Sequence, residues 1–80
     1  MTEQERQEHE ALSAIGWELF DRRHAGTLDF EAFKTLLQRA IDAVGPDNPD
    51  LEMFCHYARG EGWFAWMTHE LQQASSKHVA

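Results

Sequence analysis

Apolar residues recur at helical spacing along most of the chain, and they predict four helices. The first stripe begins after Ala11 with Leu12, Ile15, Leu19 and Phe20. Trp17 lies well round the helix from Ile15 and Leu19. The second stripe is the most regular: Phe30, Phe33, Leu37, Ala40, Ile41 and Val44 fall on one face. Asp29 suits the N-cap of this helix, and Glu31 suits its positive first turn. Val44-Gly45-Pro46 stops it. Asn48 as N-cap and Pro49 at the first helical position open a third helix, with Leu51, Phe54, Cys55 and Ala58 inward. Gly60-Glu61-Gly62 ends that helix. A fourth runs from about Trp63 to Ala74, with Phe64, Met67, Leu71 and Ala74 inward.

The flanks are polar. Residues 1–10 hold no hydrophobic side chain after Met1 and read as a polar extension, either a frayed turn or a solvated helical arm. Residues 75–80 read as a frayed tail. A single helical domain over residues 11–74 remains between them.

The two halves repeat at an offset of 34 residues. Trp17 pairs with Leu51, Phe20 with Phe54, Gly26 with Gly60 and Phe30 with Phe64. Phe33 with Met67, Leu37 with Leu71, and Ala40 with Ala74 continue the series. Tetratricopeptide arrays share this period, but they need at least three copies for stability.

The stretch Leu19-Phe20-Asp21-Arg22-Arg23-His24-Ala25-Gly26-Thr27-Leu28-Asp29-Phe30-Glu31-Ala32-Phe33 resembles the loop region of an EF-hand. Asp21 stands at loop position one, Gly26 at six, Leu28 at eight and Asp29 at nine. Calcium sites of this kind need oxygen ligands at positions one, three and five and a bidentate Glu at twelve. Here those later positions hold Arg23, Ala25 and Ala32, so Asp21 and Asp29 are remnants and no metal site is expected. The resemblance implies an all-α fold of four short helices, arranged as two helix–loop–helix units packed on one core. It also implies a loop from Asp21 to Leu28 and an inward turn of Gly16, Trp17 and Phe20. In the second half, the aligned loop carries Cys55, Tyr57, Arg59, Glu61, Trp63 and Trp66 at ligand positions, none suited to calcium as a set.

The second half also resembles the end of the effector-associated domains, death-like helical adaptors of bacterial conflict systems. Asn48 to Phe54, followed by Tyr57-Ala58-Arg59-Gly60-Glu61-Gly62-Trp63-Phe64-Ala65-Trp66-Met67, carries that resemblance. It implies assembly by homotypic helix-bundle contacts, with no catalysis.

Charge and composition narrow the partners. A formal charge of −7 opposes nucleic acid and anionic membrane surfaces, which both require clustered Lys and Arg. The N-terminus does not read as a signal peptide, and no apolar run reaches the roughly 20 residues of a membrane span, so the expected location is cytoplasmic. Cys55 is the only cysteine, which rules out an intramolecular disulfide and a Cys-rich zinc site.

No catalytic constellation emerges. Ser13, Ser75 and Ser76 lack a nucleophile-elbow context, and Gly60-Glu61-Gly62 is not a phosphate loop. His9, His24, His56, His69 and His78 include no i, i+4 metal pair, although His56 and His69 would approach if their helices packed antiparallel. Three Trp, five Phe and one Tyr are the chain's distinctive resource. Aromatics anchor binding hot spots, and Trp17, Tyr57, Trp63 and Trp66 are the expected partner-binding residues. The sequence thus points to a non-catalytic protein-interaction module without cofactors, binding a protein partner or a copy of itself. A death-like adaptor and a calcium- or magnesium-responsive regulator acting through Asp21 and Asp29 are the alternatives.

Overall fold

The computed structural model describes residues 2–78, and the side chains of residues 2–76. The described chain is all-α: α1 (Glu3–Ala25), α2 (Phe30–Val44), a 3-10 turn (Pro49–Leu51), α3 (Glu52–Glu61) and α4 (Phe64–His78). It divides after Val44 into two helix–turn–helix units, α1 with α2 and α3 with α4.

In the first unit, Thr2 opens α1. Its Oγ1 accepts the Glu5 N–H at 3.1 Å, satisfying one of the free donors at the helix start. Glu3 and Glu5 lie in the first turn, and Arg22, Arg23 and His24 in the last, as the helix dipole favours. Arg6 Nη2 donates to both Glu3 carboxylate oxygens, at 2.7 and 2.9 Å. Residues 3–10 are therefore the solvated helical arm rather than a frayed turn.

The C-terminal end of α1 departs from the expected loop. Asp21 through Ala25 are helical, and the connection to α2 is only residues 26–29. Gly26 takes φ +74°, a left-handed conformation with a steric cost for any other common residue. Its N–H donates to the Arg23 carbonyl at 3.2 Å, and the Thr27 N–H donates to the Arg22 carbonyl at 2.8 Å. These two bonds form a Schellman stop, satisfying carbonyls a bare helix end would leave open. The helical backbone runs unbroken through residues 21–25 up to this stop. Asp29 then caps α2: its Oδ1 accepts the Ala32 N–H at 2.8 Å.

The buried side of α1 is Leu12, Ile15 and Leu19, and that of α2 is Phe33, Leu36, Leu37 and Ala40. Leu36 was absent from the predicted stripe; it lies one residue from Leu37 and widens the buried face. Phe30 is half-buried. Glu18 accepts from Arg22 Nε and from Arg39 Nη1, each at 3.2 Å, and the second bond ties α1 to α2. Exposed pairs of this kind contribute about 0.2–1 kcal/mol, so apolar burial carries this unit.

In the second unit, Asn48 Oδ1 accepts the Asp50 N–H at 2.8 Å and Pro49 begins the 3-10 turn. Leu51, Phe54 and Ala58 are buried, and Cys55 is half-buried. Gly60 does not stop α3, which continues to Glu61 and ends on Gly62 at φ +82°. The Trp63 N–H donates to the Ala58 carbonyl at 2.8 Å, and the Trp63 carbonyl accepts the Met67 N–H at 2.9 Å. One backbone residue thus closes α3 and opens α4. In α4, Met67 is buried, Leu71 and Ala74 are half-buried, and Phe64 is exposed rather than inward. The helix continues past Ala74 to His78, so the described part of the predicted tail is helical.

The repeat is only partly structural. Phe30 and Phe64 both begin helices, as the offset of 34 requires. The closing glycines, Gly26 and Gly62, are 36 residues apart instead. A slip of two residues turns a helix face by about 200°. Accordingly Trp17 and Phe20 are exposed, while Leu51 and Phe54, their partners in the sequence alignment, are buried.

Candidate functional site

The exposed face of α1 holds the largest apolar side chains left in water. Trp17 is 66% exposed and Phe20 48%. Spacings of three and four residues bring Trp17, Phe20 and His24 onto one stripe. The Trp17 and Phe20 rings meet edge to face, with centroids 6.0 Å apart and planes at 85°. Phe20 stacks on the His24 imidazole at 5.4 Å, with planes at 20°. The positive edge of one ring against the negative face of the next favours the first geometry.

The stripe is bordered by small and charged residues. Ser13 and Ala14 lie one turn before Trp17, both exposed. Glu10 and Asp21 are exposed, and neither carboxylate makes an ion pair or side-chain hydrogen bond with another described residue. Glu18, by contrast, is occupied by its two arginines. The surface is an aromatic strip with an uncommitted acid toward its N-terminal end and Arg23 and His24 at its C-terminal end.

No protein-family model, curated protein or solved structure matches the chain.

The other expected contact residues sit differently. Tyr57, Trp63 and Trp66 belong to the second unit and are half-buried. Tyr57 packs edge to face against the exposed His56, centroids 5.7 Å apart. Sequence reasoning missed Phe64, whose ring lies 4.8 Å beneath the Arg59 guanidinium carbon. It also counted Phe20 as core. Leu12, Ile15 and Leu19 fall within about 60° of one another around the helix, and Phe20 lies about 100° beyond Leu19. That angular gap was the available signal.

A groove of about 280 Å³ opens in the second unit between α3, α4 and the Pro46 segment. Cys55, Met67 and Leu71 line it, and Ser75 Oγ donates to Asp47 Oδ1 at 3.1 Å among its lining residues.

The expected metal remnants do not converge on a loop. Asp21 is on α1, and Asp29 is engaged as a cap. Among the described residues, no group of three or more His, Cys, Asp and Glu side chains is placed to hold a metal ion. His56 and His69 are both exposed, and His78 lies outside the described side chains. No helix among the described residues is long and apolar enough to cross a membrane.

Proposed function

We propose that this chain is a non-catalytic protein-interaction module that docks through the aromatic stripe of α1. The observation that carries this reading is the exposed Trp17–Phe20 pair, held edge to face with His24 stacked beneath it. Two large rings on a helix that is otherwise polar on its outer side are costly to leave in water, at about 25 cal/mol per Å² of apolar surface. Burying them at a contact recovers that free energy. Their mutual packing also limits the rotamer freedom a partner must freeze, which favours binding. Trp is moreover among the residues most enriched at binding hot spots. Tyr57, Trp63 and Trp66, half-buried, are secondary contributors in this reading. The fold is a helical scaffold that presents this surface without calcium or another cofactor.

Photo-crosslinking tests the proposal. With p-benzoylphenylalanine in place of the exposed Ala14, at the flank of the stripe, illumination in cell extract gives discrete protein adducts, and adding Trp17→Ala removes them. Adducts that survive Trp17→Ala, or no adducts at all, overturn it.

A further inference from the structure

We infer that the partner of the α1 stripe is a second copy of the same chain, docked antiparallel about a two-fold axis between Trp17 and Phe20. The inference rests on the reading of α1 as a docking surface and names its occupant. The stripe has the three-and-four spacing of a helix-pairing seam: Glu10, Trp17 and His24 alternate with Ser13 and Phe20. A two-fold contact must be self-complementary, so each residue has to suit the one it meets on the other copy.

This seam meets that condition in one register. When Trp17 of one copy is level with Phe20 of the other, symmetry supplies the same pair twice, forming a cluster of four rings. His24 then lies level with Ser13 of the other copy, a bulky ring opposite one of the smallest exposed side chains on the helix. Glu10 comes within three residues of the other copy's His24, about 4.5 Å along the axis. It therefore gains an N–H donor that it lacks among the described residues of its own chain. The acidic end of each stripe meets the basic end of its partner, and antiparallel helices also oppose their dipoles favourably. A parallel pair would instead set Glu10 against Glu10 and His24 against His24.

Charge argues for a weak contact. Each chain carries −7, so two copies repel at long range. A stripe of about four turns is also smaller than the roughly 800 Å² per partner of a standard stable interface. The pair is therefore weak and reversible.

Sedimentation equilibrium of the full chain, from about 5 μM to about 1 mM, is the test. The expected mass rises from monomer toward dimer with concentration. Trp17→Ala, at an exposed position that does not threaten the fold, holds the chain monomeric across the range. Glu10→Lys and His24→Glu each weaken dimerisation about tenfold, and the double variant recovers most of that loss because it exchanges the charges across the two-fold. Circular dichroism establishes that each variant keeps the parent helicity. A chain that stays monomeric throughout, a dimer indifferent to Trp17→Ala, or a double variant no better than the singles overturns the inference. The Ala14 crosslink, with the chain added to the extract at the top of the sedimentation range, separates the two levels. An adduct of twice the chain mass is expected; adducts only to a different protein leave the docking stripe standing and overturn self-pairing; no adducts overturn both.

Discussion

Trp17 and Phe20 pack edge to face on the outer side of α1, 6.0 Å apart, while Leu19 between them in sequence is completely buried. One helical turn thus carries both a core anchor and the proposed contact surface. The two roles should separate cleanly on mutation. Leu19→Ala removes a fully packed side chain and is expected to destabilise the fold by about 2–5 kcal/mol. Trp17→Ala should cost no more than about 1 kcal/mol in stability, because it forfeits mainly one exposed ring contact. Urea denaturation of the two variants measures both, and equal losses would place Trp17 in the core instead.

The glycines near the end of α3 make opposite predictions. Gly60 is helical and exposed, so Gly60→Ala should stabilise by about 0.5–1 kcal/mol through lower unfolded-state entropy. Gly62 has φ +82° with open space around a would-be Cβ, so the cost of Gly62→Ala is conformational rather than steric crowding by neighbours. It should destabilise by about 1–2 kcal/mol. Thermal melts of the two variants should shift in opposite directions, and a shared sign would contradict the assigned end of the helix.

Asp29 is assigned a structural task, accepting the Ala32 N–H at 2.8 Å. Asp29→Ala should cost about 0.5–2 kcal/mol, and Asp29→Ser should restore most of it, since serine also caps. Denaturation midpoints decide the matter. A Ser variant as unstable as Ala would mean that the carboxylate's charge, rather than its acceptor geometry, was important.

Calcium should have no specific effect. The helix continues through Ala25, Asp21 therefore sits on regular helical backbone, and Asp29 is occupied as a cap. Arg23 adds positive charge two residues from Asp21. Backbone amide NMR spectra with and without millimolar calcium should superimpose over residues 21–32. Saturable shifts there, lost in Asp21→Ala, would restore the metal-responsive reading.

Much of the secondary structure was legible in the chain. The α2 stripe, the Asp29 and Asn48 caps, and the Gly45-Pro46 break are local signals, set by helix periodicity and by hydrogen bonds within a few residues. The helix ends were less legible. Gly60 and Gly62 are equal as residues, and only the Trp63 N–H bond to Ala58 shows which one terminates α3. Asp21 to Ala25 match a loop template by spacing, yet residue types cannot show whether an ion or an unbroken helix organises them.

The all-α class and the helical periods were set locally by the residues, because propensity, capping and apolar spacing act over one or two turns. Which side of α1 turned inward depended on long-range packing. A broad apolar arc offers several rotations, and the choice belongs to the packing partner: burying Leu12, Ile15 and Leu19 leaves the two aromatic rings in water.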